Sequence, residues 1–408
     1  MNVATLQKVD RWLGIPLCFG LTLVRKFLPS RLGSGVPKIR SILFVKLAEQ
    51  GSTVLAYAAI KRAVEMVGRE NVYFICFEEN RFIVDLLELI PEENVITVCA
   101  KSFLQLADTT LDAMRKMWAL KLDAAIDMEF FARGSAAMTF FSGAKARVGF
   151  HCFFGDGPYR GDLMTHRLLY NSHLHTTSMF QVLVESLKCD PATLPTQSNR
   201  PPPSENILPQ FSPKPGEADT VRAMLPKKNG ATPPIILLNP NASDLVPLRQ
   251  WASARYVELA KKLLARFPEV HIGFTGAPNE AQAAENLVAE IGSDRCLCLA
   301  GKTTLRQLMV LYTLAEILVT NDSGPAHFAS LTPINVVTLF GPETPALFSA
   351  RTPRNTAIWA GLSCSPCVNA YNNRQSPCKN NVCMQEISVE QVFAEVCRVY
   401  AQRVGAKP

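Results

Sequence analysis

The turn Asp322-Ser323-Gly324-Pro325-Ala326-His327 concentrates more usable chemistry than any other short stretch of the chain. It follows the apolar run Ile317-Leu318-Val319-Thr320 and precedes a helical pattern. Gly324 admits close backbone approach. Pro325 suits the first helical position, where its missing N–H costs nothing. The free amides of such a helix start, with the helix dipole behind them, make an anion site. Ser323 adds a hydroxyl donor, and His327 reaches the same place from the first turn. The bland alternative is an ordinary capped strand-to-helix turn with a satisfied histidine.

Two other sets have ligand-type spacing. Cys364-x2-Cys367-x10-Cys378-x4-Cys383 resembles a structural zinc site. Reduced thiols or a loop-stapling disulfide fit it as well, since the residues between are polar and loop-like. His173 and His175 alternate before a helical stretch at 179–187. Helix entry explains them more simply than a ligand pair does. The other eight of the 12 cysteines are scattered, several inside apolar runs, as small buried residues in a reducing compartment.

These groups need elements to hold them. From Lys38 onward short apolar runs alternate with amphipathic stretches. Strands are expected at 41–45, 72–77, 95–98, 124–127 and 146–150, and helices near 54–67 and 81–89. Between Pro191 and Pro234 prolines interrupt both periods, so this reads as a connector with a short helix near 217–224. Alternation restarts with strands at 235–238, 270–275, 296–299, 317–320 and 336–340 and helices between them. This pattern implies right-handed βαβ units, parallel sheets and ligands at the carboxyl ends of strands. The expected division is a segment at 1–37, an N-terminal domain at 38–200, a linker at 201–233, a C-terminal domain at 234–388 and a terminal helix at 389–408. That last helix is expected to pack back on the N-terminal domain.

Composition is globular, with 48% hydrophobic and 19% charged residues, and the net charge is a mild +7. There is no arginine-rich block, so nucleic acid is not an expected partner. No Gly-x-Gly-x-x-Gly follows a strand and no Gly-x4-Gly-Lys-Ser/Thr occurs, which argues against dinucleotide oxidoreductases and P-loop enzymes. The 13 residues Trp12–Val24 are uncharged and flanked by Arg11 and by Arg25-Lys26. They are too few to span a bilayer, which takes roughly 20. They suit a helix lying on the inner face of the cytoplasmic membrane, or one packed on the protein's own core. The chain is otherwise expected to be cytoplasmic.

The turn at 322–327, followed by Leu339-Phe340-Gly341-Pro342-Glu343-Thr344-Pro345, resembles glycosyltransferase family 9, the heptosyltransferase family. Asn239-Pro240-Asn241-Ala242-Ser243, Arg249-Gln250-Trp251 and Thr275-Gly276-Ala277-Pro278-Asn279-Glu280 extend the likeness. It is most specific in the second half. The resemblance implies an α/β fold of GT-B architecture, two Rossmann-like domains facing a central cleft. It also implies inverting, metal-independent transfer of a sugar from a nucleotide donor, typically ADP-heptose, to a lipopolysaccharide-core or lipid-linked glycan acceptor, without a cofactor. By the same resemblance Ser323, Gly324 and His327 hold the diphosphate. Arg249 stands where the family usually has a lysine, and Asn241 and Ser243 add polar contacts. Glu280 reaches the ribose, Thr303 lies near the base, and Asp322 faces the sugar or orients its loop. Glu129 and Arg133, after the fourth strand, stand where GT-B enzymes bind acceptors.

One position departs from the family. Its first loop usually carries a Gly-Asp whose aspartate is the proposed base. Here Gly51 is followed by Ser52, which cannot serve as a base unaided. Glu49 offers a carboxylate from the same loop, with Lys46 for charge balance. The departure keeps a non-catalytic nucleotide-sugar-binding or assembly protein in view. A sugar-nucleotide epimerase would need a further acid and base that the sequence does not show.

Overall fold

Short runs of aliphatic and β-branched residues bounded by turns form twelve strands among the described residues, which in this computed structural model are 3–27, 35–155, 157–195, 208–228, 230–242 and 245–405. The chain divides into two compact units. Unit 1 comprises Met1–Ile207 with Asn369–Gln375, and unit 2 comprises Leu208–Val368 with Ser376–Pro408.

Unit 1 holds β1 (Ile42–Val45), β2 (Val72–Phe77), β3 (Val95–Val98), β4 (Ala124–Asp127), β5 (Ala146–Phe150) and β6 (His166–Leu168). Its helices are α1 (Val3–Trp12), α2 (Gly14–Phe27), α3 (Gln50–Leu55), α4 (Tyr57–Val67), α5 (Arg81–Leu86), α6 (Phe103–Leu120), α7 (Arg133–Phe141) and α8 (Thr176–Glu185). The sheet order is β3-β2-β1-β4-β5-β6 and every pairing is parallel. β1 and β4 are buried along their whole length, as a sheet covered on both faces requires. From β1 the chain first builds toward β3, then returns to build toward β6. The crevice at the carboxyl ends of β1 and β4 is thus the point where strand order reverses, where such sheets bind ligands.

Unit 2 repeats the plan with β7 (Ile235–Asn239), β8 (His271–Phe274), β9 (Cys296–Cys298), β10 (Ile317–Asn321), β11 (Asn335–Phe340) and β12 (Asn355–Trp359). Its helices are α9 (Glu217–Arg222), α10 (Ser253–Arg266), α11 (Ala281–Ile291), α12 (Leu305–Leu314), α13 (Gly324–Ala329), α14 (Pro345–Phe348), α15 (Val382–Gln385) and α16 (Val389–Gly405). The order β12-β11-β10-β7-β8-β9, again parallel throughout, puts the reversal between β7 and β10.

Every expected strand is present. β6 and β12 were not anticipated, and neither was α6. Both strands lie at sheet edges. α6 exposes Phe103, Leu104, Leu111 and Trp118 and buries only Ala113 and Met117, so its apolar residues do not form one clean stripe.

The terminal helix belongs to the core of unit 2. Val389, Val392, Val396, Val399 and Tyr400 of α16 join the core of unit 2 with Leu263, Val337 and Leu339. Arg403 donates to Glu316 at 3.0 Å and to the Pro333 carbonyl at 2.8 Å. The helix is therefore part of unit 2, because its stripe matches a groove beside α10 and the sheet. The connector is also partly folded. Glu217 at the start of α9 is gripped by Arg306 of α12 at 2.5 and 3.0 Å.

Candidate functional site

In unit 2 the loops after β7 and β10 are tied together at the switch point. Asn321, the last residue of β10, is fully buried and uses all its polar atoms. Its Oδ1 accepts from the Trp251 amide at 3.1 Å and the Tyr256 hydroxyl at 3.2 Å. Its Nδ2 donates to the Pro240 and Asn241 carbonyls, both at 3.1 Å. The β7 loop, the start of α10 and the end of β10 thus share one hub.

Beyond this hub lies a buried charge cluster. Arg249 closes the short 3-10 turn Pro247–Arg249. Its guanidinium pairs closely with Glu343 and lies 3.4 Å from Asp322. All three side chains are at least nine-tenths buried, and the cluster carries one excess negative charge. Arg249, which stands where the family usually has a lysine, is already engaged by two carboxylates. Glu343 had no assigned role in the sequence, although it lies in the Gly341-Pro342-Glu343-Thr344 run.

Ser323 is the N-cap of α13, and its hydroxyl donates to the Asn321 carbonyl at 3.2 Å. The helix begins at Gly324, so Pro325 is second, one residue later than expected. α13 has only six residues, and its dipole is correspondingly weak. The Asp322 amide is bonded to the Leu339 carbonyl at 2.9 Å. Among the described residues the Ser323 and Gly324 amides make no such bond, which leaves two donors for an anion. His327 is buried one turn into α13.

Asn241 and Glu280 converge on Gly276. A Cβ there would stand 2.7 Å from Asn241 Nδ2 and 2.9 Å from Glu280 Oε2. Asn241 Nδ2 donates to the Thr275 carbonyl at 3.4 Å, and Glu280 accepts from the Ala277 amide at 2.6 Å. Glu280 therefore spends one oxygen on capping. Gly301, at φ 70°, donates its amide to the Gly276 carbonyl at 3.0 Å and leads into Thr303. Thr304, beside Thr303, caps α12. Ser243 lies outside the described residues.

The second constellation is at the switch point of unit 1. Glu49 adopts a left-handed backbone at φ 65° just before α3. Its Oε2 accepts from the Ser52 hydroxyl at 3.1 Å, and its Oε1 is held closely by Arg374. Arg374 comes from the 369–375 segment and lies 5.6 Å from the centre of the Phe130 ring. Lys46 was expected to balance Glu49. Instead its ammonium bonds the Ala48 carbonyl at 3.1 Å and lies 3.5 Å from Glu129. Arg374, which the sequence reading missed, takes the place by Glu49.

Glu129 also accepts the Ala48 amide at 2.9 Å, so it fixes the first loop rather than capping a helix. Behind it Asp127 is completely buried against Arg160 and Ser135. Burial pushes the Asp127 carboxyl up to about 6, against the opposing pull of Arg160. Arg133 begins α7, and its amide and that of Gly134 are capped by Asp10 of α1 at 2.9 and 2.8 Å. A cavity of about 510 Å³ in unit 1 is lined by Arg11, Ile15, Arg133, Tyr159, Tyr371 and Asn372 among others.

The remaining sets carry less chemistry. His175 caps α8 by accepting the Thr177 amide at 3.2 Å, the helix-entry role. Burial, and then the neighbouring thiols Cys367, Cys378 and Cys364, push the Cys383 thiol up. The four cysteines are thus near one another. Among the described residues, however, no group of three or more histidines, cysteines or carboxylates is placed to hold a metal ion.

A family model described as glycosyltransferase family 9 (heptosyltransferase) matches residues 110–377. Lipopolysaccharide heptosyltransferase 2 of Salmonella typhimurium is 27% identical over 217 residues, 52% of this chain and 58% of that protein. The chain thus spans little more than half the length of that relative. The solved structure of E. coli ADP-heptose lipopolysaccharide heptosyltransferase II aligns with 89% of this chain and 99% of its own, at a TM-score of 0.67 and 17% identity. That of a family 9 glycosyl transferase from Veillonella parvula aligns with 90% and 99%, at the same score and identity. At such identity the structural likeness establishes the fold, which is the GT-B kind with two Rossmann-like sheets.

Proposed function

We propose that this chain, which belongs to glycosyltransferase family 9 (heptosyltransferase), transfers heptose from ADP-heptose to a lipopolysaccharide-core or related lipid-linked glycan, with inversion and without a catalytic metal. The observation that carries the reading is the switch-point group of unit 2. There the free Ser323 and Gly324 amides adjoin Asp322, which lies 3.4 Å from the buried Arg249. The donor diphosphate accepts from the two amides and from His327. It also exchanges with Asp322 for the guanidinium, since that contact is looser than the one to Glu343. Asn241 and Ser243 add polar contacts to the same phosphates, and Glu280 and Thr303 serve the nucleoside side.

The positive groups act on charge that grows as the sugar–phosphate bond breaks. They stabilise the leaving diphosphate more than the ground state, which is what lowers a barrier. Glu49 accepts the proton of the acceptor hydroxyl as its oxygen attacks the anomeric carbon. Ser52 and Arg374 fix the carboxylate's direction. A base must reach the proton it takes, and geometry precedes affinity in that requirement. The acceptor's anionic groups suit the unit 1 cavity, where Arg11 and Arg133 line the wall.

The test is calorimetric titration with ADP-heptose, ADP-glucose and UDP-glucose on the full chain and on His327→Ala. ADP-heptose should bind tightest, and the variant should lose about tenfold in affinity, the loss of one charge-assisted hydrogen bond. Equal affinity for all three, or an unaffected variant, contradicts the donor assignment.

A further inference from the structure

The first two helices have two distinct faces. The inner face is latched to unit 1 by specific contacts. Asp10 caps α7 and pairs with Arg133 at 3.2 Å. Gly14 of α2 packs so closely that a Cβ would stand 2.7 Å from Arg133 Cβ. Gly161, at φ 72°, lies so near α2 that a Cβ would meet the Cys18 carbonyl at 2.6 Å. Thr22 accepts the Asp162 amide at 2.9 Å, and Arg25 donates to the Asp162 carbonyl at 2.9 Å. Cys18 and Leu21 are buried with Ala136, Ala137, Leu163 and Met164. These contacts at positions 14, 18, 21, 22 and 25 fix the rotation of α2 about its axis.

The opposite face is therefore also fixed, and it is apolar. Trp12 is 75% exposed, Phe19 58%, Leu23 43% and Phe27 86%. Leu13, Ile15, Leu17 and Val24 are exposed beside them. Single exposed apolar side chains are ordinary, but a contiguous run of this kind marks an interaction surface. The stretch from Trp12 to Phe27 is about 22 Å long at 1.5 Å per residue. No described helix is long and apolar enough to cross a membrane.

Charge selects the occupant. Lys8, Arg11 and Lys26 are exposed on these helices. Their one described acidic residue, Asp10, is turned inward onto α7. A second copy would bring cations against cations, which disfavours self-association. A surface of anionic lipid complements the pattern, with aromatic side chains at the headgroup level and cations meeting the phosphates. Arg11 and Ile15 also line the unit 1 cavity, so the face and the cavity adjoin.

We infer that α1 and α2 form a rigid dock for an anionic bilayer, lying flat with Trp12, Phe19, Leu23 and Phe27 in the headgroup–acyl boundary. A lipid-linked acceptor then enters the cavity from the surface that holds it. This second step rests on the proposed function; the dock does not.

The experiment is co-sedimentation of the full chain with vesicles of phosphatidylethanolamine and phosphatidylglycerol, and with vesicles of phosphatidylcholine alone. The unmodified chain should partition at least about tenfold better into the anionic vesicles, and added salt should narrow the gap. Phe19→Glu with Leu23→Glu should abolish binding, with thermal unfolding unchanged because these side chains face outward. Lys8→Gln with Lys26→Gln should remove most of the preference for anionic lipid. The dock is overturned if the double glutamate variant binds as well as the unmodified chain, if no vesicle is bound, or if the unmodified chain is a dimer that this variant dissolves. Transfer to a delipidated acceptor should be unchanged in Phe19→Glu/Leu23→Glu. If no chain transfers sugar while vesicle binding follows the prediction, the sugar chemistry falls and the dock stands.

Discussion

Replacing Arg249 with Met removes the guanidinium that Glu343 and Asp322 share. The two carboxylates are left together, 1% and 4% exposed, with that countercharge gone. Breaking a buried ion pair by deleting one partner costs about 3–5 kcal/mol, and two stranded carboxylates put the cost near the upper end. At about 2–4 °C per kcal/mol for a unit of this size, the unit 2 transition should fall by about 6–20 °C in scanning calorimetry. Adding Glu343→Gln removes one of the stranded charges. The double variant should therefore unfold above Arg249→Met alone, with a coupling of about 1–3 kcal/mol in the cycle. Affinity for ADP should fall in both variants and should not return in the double one, which separates holding the fold from holding the ligand. Additive losses, or a unit 2 shift under about 3 °C for Arg249→Met, would refute the charge-cluster reasoning.

Other outcomes follow from the same contacts. Glu49→Gln should lower turnover by about two orders of magnitude or more with unchanged donor affinity, and near-normal turnover would remove it as the base. Arg374→Met should lower kcat about tenfold while KM for the donor holds, because it frees the carboxylate without removing it; a change confined to KM contradicts this. Asn321→Ala strands four polar groups that it now satisfies, so unit 2 should lose about 3–5 kcal/mol, read as a lowered calorimetric transition. Burial lowers His166 from its usual 6.5 to about 4, so the unfolded chain binds the extra proton and unit 1 should lose stability as pH falls from 6.5 toward 4. Asp127, raised to about 6, acts in the opposite sense between 4 and 6, so the measured profile should be shallow there. Replacing His166 with Asn should lessen the loss of stability toward acid, with His151 and Glu185, both lowered, still acting in that sense; an unchanged profile would count against the His166 assignment.

The sheets were legible because parallel strands buried on both faces read as unbroken aliphatic runs. Ile235–Leu238 and Ile317–Thr320 are examples. The edge strands β6 and β12 lack that signature, and a short exposed edge needs no such run. The turn at 322–327 was legible because Gly and Pro announce a strand-to-helix junction. What the turn leans on was not. Glu343 is 94 residues from Arg249, and Arg374 is 325 residues from Glu49. Such pairings are made by topology, and no local period signals them. Asn321 read as the end of a strand, since its four bonds exist only once three segments have met. The stripe of α16 was visible, but a stripe does not say which surface it covers. The apolar character of α2 was equally plain, whereas the split between its latched and open faces needed Gly14, Cys18 and Asp162 in place.

The central claim is that this chain moves heptose from ADP-heptose onto a lipopolysaccharide-core acceptor with inversion at the anomeric carbon. Its most direct test combines the purified chain, ADP-heptose and heptose-deficient lipopolysaccharide, without added metal and with chelator present. Mass spectrometry should show the acceptor gaining one heptosyl residue for each ADP released, and proton NMR should show the anomeric configuration inverted relative to the donor. ADP release without acceptor gain, a retained configuration, or no turnover with any heptose-deficient acceptor despite tight ADP-heptose binding would contradict it.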